Sequence, residues 1–472
     1  MSMYTNAGVT RTLQDVALIF CLSLLGLLWL IANPGYYSHD ELQKLDHVVR
    51  YGFQEYLKAY VVIVQGSEFG TPVRPFAFFI QGVLALGMRD FPFLVHLFDV
   101  LTHAAVAALV YLALRRFAVE RRVALVAAAG FALSPMAVIA AGWSAALMDR
   151  WYVLFGLLAL LAVERFLSGT QQKRYLVLLF LWASLAILSK ETAIMLAGTM
   201  MIFILIRPQI LRERKFWVAL AVFALPALLY LLYRLPAIVS SFGNPAGGAY
   251  KASTGNLPEG IVLYLAYPFL YSVTEAINWV FVPKFWVGVA VAANLAIPLL
   301  LWRLKSARFA LGYVFFYFLF LLPVLLIPNR GAHYLYGSSI VVCVALACLL
   351  CDRASWFSPH RIAALGLAAV LLVHTVYLQV FVYSIGSCMD SAMTGVEASY
   401  LGIDRPSALE LRAEPGAPGH VLHRFTTGRE QIGENYPVKM TVAEWDAPSD
   451  GATPVLIMDR QCRVFARLAP KR

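Results

Sequence analysis

The chain has 472 residues, 60% of them hydrophobic and 14% charged, with a mean hydropathy of +0.71. A soluble domain carries about a quarter of its residues as charges, so this much apolar surface needs a solvent other than water. The composition excludes a disordered chain, a collagen repeat and a small disulfide scaffold. The net charge of +11 sits in short Lys/Arg clusters between apolar segments rather than in a stripe; no nucleic-acid partner is expected, and the clusters read as an orientation signal.

Taken in chain order, residues 16–33 form a first membrane anchor, with no small-x-small cleavage site at its end. Further spans are predicted at 93–114, 123–142, 151–166, 216–233, 285–302, 309–328, 335–351 and 362–385. With the N-terminus inside, Arg115, Arg116, Arg121, Arg122, Arg165, Lys173, Arg174, Arg207, Arg212, Arg214, Lys215, Arg303, Lys305, Arg308, Arg353 and Arg361 fall in inner loops, as the positive-inside rule requires. Residues 175–206 are apolar except for Ser189, Lys190 and Glu191 at the centre, and both ends are basic. One helix of that length would put the two basic ends on opposite sides. A hairpin is expected instead, with arms of roughly 22 Å, short of the hydrocarbon thickness of about 30 Å. The fold class that follows is an all-α polytopic membrane bundle of about 11 transmembrane helices.

Between the first two spans, the outer loop 34–92 carries Leu42, Leu45, Val48, Val49, Tyr56, Leu57 and Tyr60 near helical spacing, interleaved with charge. That is the pattern of a helix lying on the membrane surface, and a second interface helix is expected at 76–87. The outer loop 235–284 begins Gly-rich over 240–256 and continues aromatic. Residues 1–385 therefore form the membrane domain. Residues 386–472 have ordinary charge, Pro and Gly, and β-like runs at 420–426, 436–445 and 453–468, and are expected as a small β-rich C-terminal domain outside the membrane. It contains Cys388 and Cys462; two unpaired thiols and a disulfide are equally compatible with the spacing.

There is no nucleotide-cradling glycine loop, HExxH zinc site, GxSxG elbow or DxD pair, so cytosolic nucleotide chemistry has no support. The informative residues are polar groups at helix ends. Ser38-His39-Asp40-Glu41 follows the first span, Asp149-Arg150 opens the fourth, and Lys190-Glu191 tops the hairpin. Arg74-Pro75 begins the second interface helix, and Arg330 with His333-Tyr334 caps a later one. On the predicted topology all five groups share the outer face, and that convergence outweighs any single motif.

These residues resemble a family. An acidic pair after the first helix, Arg-Pro before an interface helix, His96-Leu97-Phe98 leading into Tyr111-Leu112-Ala113-Leu114-Arg115-Arg116, then Phe131-Ala132-Leu133-Ser134-Pro135, then Leu188-Ser189-Lys190-Glu191, and finally Tyr334-Leu335-Tyr336, look like the GT-C membrane glycosyltransferases. The protein O-mannosyltransferase-like and TMTC-like branch is the most similar. Ser134-Pro135 stands where that branch often has His-Pro, and Met148-Asp149-Arg150 replaces an Arg-x-Asp-like run.

The resemblance implies transfer of a sugar from a polyprenyl-phosphate donor to an acceptor at the outer face. Phosphate is a good leaving group, so the minimum site is one carboxylate base plus cations for the departing phosphate. Asp40 is assigned as that base, with Glu41 as its neighbour, orienting it or binding a divalent ion. Carboxylates at a helix start can equally be caps. Lys190 is the first choice for the donor phosphate, with Arg74 and Arg330 as helpers; the alternative for each is an ion pair or an interfacial anchor. Asp149, Arg150, Glu191, His333 and Tyr334 are candidates for sugar or metal contacts, and the metal is left open. The expected setting is a bacterial inner membrane, with the site and the C-terminus periplasmic and a protein, glycan or lipid as acceptor. Two rival readings are a transporter or flippase, which would show a repeat of the Lys190 hairpin, and an O-antigen polymerase or ligase, which would rely on outer-loop arginines.

Overall fold

The computed structural model describes residues 6–61, 73–88, 91–170, 173–242, 253–270, 284–352, 358–403, 405–428, 431–432, 436–448 and 452–466. The first apolar segment forms α1 (Asn6–Gly26) and a short α2 (Leu28–Ile31). The expected surface pair follows as α3 (His39–Tyr56) and α4 (Pro75–Met88), packed on each other. Helical geometry in α3 breaks at Gly52, whose φ of +82° lies in the left-handed region that glycine enters without steric cost.

The bundle continues with α5 (Pro92–Arg116), α6 (Arg121–Ala132), α7 (Pro135–Gly142), α8 (Leu147–Arg165), α9 (Lys173–Ser189), α10 (Met201–Ile206), α11 (Arg214–Phe242), α12 (Leu257–Ala266), α13 (Lys284–Leu304), α14 (Ala307–Leu319), α15 (Leu322–Leu325), α16 (Tyr336–Leu350) and α17 (Pro359–Gly402). Among the described residues, six helices are long and apolar enough to cross a membrane, and α6 with α7 makes a seventh if counted as one span. The four other expected spans correspond to α1, α9, Glu191–Ile206 and α14, which are not among those seven. Much of the loop expected over 240–256 and the second half of the aromatic stretch after it lie outside the described residues.

Three spans depart from a straight helix. The predicted span 123–142 is bent by 50° between α6 and α7. Ser134 caps α7 there, its hydroxyl accepting from the Ala137 N–H, and Pro135 occupies the first helical position, the usual chemistry of a new helix start. Residues 309–328 break near Phe320 into α14 and α15. The segment 175–206 breaks at Lys190, whose backbone is extended (φ −158°, ψ 135°), and resumes as a 3-10 helix over Glu191–Met200. This is where the hairpin top was expected.

Helix α17 does not stop at Ile385. It runs 44 residues to Gly402, roughly 66 Å, about twice the hydrocarbon thickness, and so delivers Cys388 to the C-terminal domain. There β1 (Ala408–Ala413) lies between β4 (Lys439–Ala443) and β5 (Val455–Met458), parallel to both, and β6 (Val464–Ala466) runs antiparallel to β5; β2 (Gln431–Ile432) pairs β3 (Tyr436–Pro437) separately. The run 420–426, expected as β-like, is instead helix α18 (His420–Gly428). Its buried Val421, Leu422 and Phe425 repeat at i, i+1 and i+4, which is a helical face. Cys388 and Cys462 form a disulfide with a Cα–Cα distance of 5.2 Å, joining α17 to the turn between β5 and β6.

Candidate active site

The start of α3 is set by Glu41. It is buried, and it accepts from the backbone N–H groups of Tyr37 and Ser38, both at 2.8 Å, and from that of Ser144 at 2.5 Å. The first two bonds satisfy donors left open by the helix start. The third ties the helix to the short turn leading into α8. Glu41 is thus occupied in holding the backbone of the turn that carries Asp40. Burial pushes the Glu41 carboxyl up, to about 8, against the pull of these donors.

That shift has a sign. A carboxyl raised above its unfolded value of 4.5 contributes stability that is fully present below that value and is lost as pH rises through about 8. The difference in detergent melting temperature between the wild type and Glu41→Met should therefore shrink as pH is raised from about 5 to about 9. A difference that stays flat or widens would mean that the fold holds the ionised form.

Next to this turn lies a fully buried pair, of which Arg150 is a residue predicted from sequence and Asp99 is not. Asp99 of α5 binds the guanidinium of Arg150 and the hydroxyl of Ser144, and Arg150 also donates to the Ala140 carbonyl. Asp99 and Arg150 are both 0% exposed, so each is the other's condition for being there. His96 bonds the Gly35 carbonyl at 2.9 Å through Nε2. A single Asp within an apolar span was the available signal.

Next to it, Lys190 reaches from the break after α9 to Asp149 in the first turn of α8, again fully buried. The Lys190 ammonium lies 4.5 Å from the centre of the Tyr334 ring. Glu191, its neighbour in sequence, turns instead to Arg74, which grips it through two nitrogens at 2.5 and 2.6 Å. Arg330 pairs with Glu259 at 2.8 Å. The His333 ring meets Trp143 edge-on (ring centres 4.9 Å) and lies tilted against Tyr334 (4.2 Å). Asp149 Oδ2, Tyr152 Oη, Trp143 Nε1 and His333 Nδ1 are buried with no hydrogen-bond partner among the described residues.

Asp40 differs from these carboxylates. Its side chain is 43% exposed and lies 3.5 Å from His39. Lys44, one turn on, is within electrostatic reach of both Asp40 and Arg74, and burial lowers its ammonium to about 8 while Asp40 acts in the opposite sense. Lys44 also rests 3.7 Å from the Tyr60 ring centre, and with Glu41, Gln81 and Ser144 it lines a cleft between α3 and α4. Asp40 and Arg74 are linked through Lys44, Arg74 reaches Glu191, Lys190 reaches Asp149, and Tyr334 with His333 joins them at the Lys190 ammonium, whereas Arg330 is held by Glu259 of α12. No group of three or more His, Cys, Asp or Glu side chains that could hold a metal exists among the described residues. Glu41, for which binding a divalent ion was left open, has its oxygens taken by N–H groups. A divalent ion does not fit this acidic pair.

Residues 72–233 match the family model described as dolichyl-phosphate-mannose-protein mannosyltransferase. Among curated protein sequences, none matches the chain. Three solved structures are similar. The archaeal oligosaccharyltransferase AglB from Archaeoglobus fulgidus, in complex with an inhibitory peptide and a dolichol-phosphate, is 12% identical over 92% of this chain and 65% of its own, with a TM-score of 0.50. ArnT from Cupriavidus metallidurans, bound to undecaprenyl phosphate, is 12% identical over 96% and 94%, with a TM-score of 0.49. The arabinofuranosyltransferase AftD from Mycobacteria is 16% identical over 92% and 32%, with a TM-score of 0.47. The chain thus spans just under two thirds of the archaeal protein and about a third of the mycobacterial one. The sequence match thus runs from just before α4 into α11, and the helical membrane fold is the one seen in the archaeal oligosaccharyltransferase.

Proposed function

We propose that the chain transfers a sugar from a polyprenyl-phosphate-linked donor to an acceptor hydroxyl, or another protonated acceptor group, at the periplasmic face, with inversion at the anomeric carbon. One observation supports this reading above others. Of the carboxylates gathered here, Glu41, Asp99, Asp149, Glu191 and Glu259 are each held by backbone N–H groups or by an Arg or Lys, and Asp40 alone among them is half exposed without such a partner among the described residues. A base must be reachable by the proton it removes.

In the step, Asp40 takes the acceptor's proton as the acceptor atom bonds to the anomeric carbon. The bond from that carbon to the phosphate oxygen breaks, and its electron pair leaves with the phosphate. Lys190, Arg74 and Arg330 stabilise the charge that develops there. Asp149, Arg150, Glu191, His333 and Tyr334, joined by Trp143 and Tyr152, form the surroundings of the sugar. Asp149 and Glu191 act by aligning the cations, and Arg150 acts from beneath by fixing Asp99. The matched family model is named for a dolichyl-phosphate sugar, which agrees with a lipid phosphate as leaving group.

The test is to incubate the purified chain in lipid with a panel of polyprenyl-phosphate sugars and measure released polyprenyl phosphate. The expected result is release from one donor, with an inverted anomeric configuration in the product. Release from none, with the protein folded and acceptors of all three classes supplied, would overturn the proposal.

A further inference from the structure

The C-terminal domain touches the membrane domain at the helix that carries Asp40. Arg424 of α18 donates to the Tyr37 carbonyl at 2.6 Å, and its guanidinium lies 4.8 Å from the Tyr37 ring centre. Tyr37 is in turn the residue whose N–H is bound by Glu41. Further along, Gln43 Nε2 donates to the Thr427 carbonyl at 3.1 Å. At the end of α18, a Cβ on Gly428 would stand 2.7 Å from Leu42 Cβ and 2.9 Å from the His39 carbonyl oxygen. The two helices therefore meet at a distance that only glycine permits.

These contacts fall on residues 37, 39, 42 and 43, on either side of Asp40. Glu41 fastens the same turn from within the bundle through Ser144. The outer support is itself fastened, because the Cys388–Cys462 disulfide closes a separation of 74 residues between α17 and the β5–β6 turn. The first turn of α3 is thus gripped from two sides. Its inner grip is buried and its outer grip belongs to a separate domain.

We propose that α18 is a clamp on the catalytic helix and that Arg424 is a positioning residue for Asp40. This rests on the reading of Asp40 as the base. A base displaced by about 1 Å loses on the order of 100-fold in rate, and the clamp acts on that placement rather than on donor binding, for which α18 supplies no group.

The experiment compares the full-length wild type with Arg424→Ala, Arg424→Lys and Gly428→Val, in lipid, by two readouts taken alongside each protein's melting temperature. The first is kcat and donor KM. The second is amide hydrogen exchange over residues 37–43, which needs no turnover. The expected result for Arg424→Ala and Gly428→Val is a kcat lowered about 10- to 100-fold, donor KM within about 2-fold, and faster exchange over 37–43. Arg424→Lys should recover most of kcat, because an ammonium can still donate to the Tyr37 carbonyl. Unchanged exchange and kcat would overturn the proposal. So would a kcat loss matched by an equal rise in donor KM, or by a fall in the melting temperature of the whole protein. If the wild type releases no polyprenyl phosphate, the enzymatic reading fails, and the exchange measurement still decides whether α18 restrains this turn.

Discussion

Replacing Asp40 by Asn is expected to lower kcat by about 100- to 10,000-fold, the usual contribution of a positioned general base, while donor KM and the melting temperature stay near the wild-type values. The reason is the asymmetry among neighbouring carboxylates. Asp40 contributes no ion pair with Arg or Lys among the described residues and is 43% exposed, so its amide replaces it without leaving a buried charge unpaired. The same change at Glu41 would disturb three backbone donors, and at Asp99 it would strip a partner from a buried Arg150. Those variants should lose folded protein, whereas Asp40→Asn should lose only turnover. Measuring kcat, KM and melting temperature on the same preparations separates the cases. An Asp40→Asn enzyme with more than about a tenth of wild-type kcat would remove Asp40 from the role of base.

The membrane-spanning architecture was legible because burial in lipid demands long apolar runs, and the sequence from 93–114 to 362–385 shows them plainly. What was not legible is how those runs end. A continuous apolar segment says nothing about the 50° bend at Ser134, although Ser-Pro was the clue once read as a helix start rather than as a departure from a motif. The run 420–426 was misread because so short a stretch satisfies two periods, and tertiary contact with α3 settled it as a helix.

The site was legible as a set of helix-end polar groups and illegible as a pattern of pairs. Arg74 binds Glu191 across 117 positions, Arg150 binds Asp99 across 51, and Lys190 binds Asp149 across 41. Nothing local selects among such pairings. Lys190 and Glu191, adjacent in sequence, take separate partners, because neighbours at a helix start point in different directions. Asp99 follows the His96-Leu97-Phe98 motif directly but, like Trp143, stands alone in an apolar stretch with no charged neighbour to mark it.

The Lys190–Asp149 pair separates holding the fold from binding the donor. Each partner is nearly unexposed, so Lys190→Met or Asp149→Leu alone leaves one uncompensated charge in the bundle, a cost of about 3–5 kcal/mol. Both single variants should express poorly and melt early. In the double variant both charges are gone and two apolar side chains fill the space, an exchange that is often neutral or stabilising, so the melting temperature should return close to that of the wild type. Polyprenyl phosphate binding should not return, since the ammonium assigned to the phosphate is absent. Recovery of the fold without recovery of lipid binding, measured by melting and by a labelled polyprenyl phosphate on the same samples, is the expected outcome. A double variant that binds the lipid normally would make Lys190 a structural counter-ion and move the phosphate to Arg74, Arg330 or the Lys44 cleft.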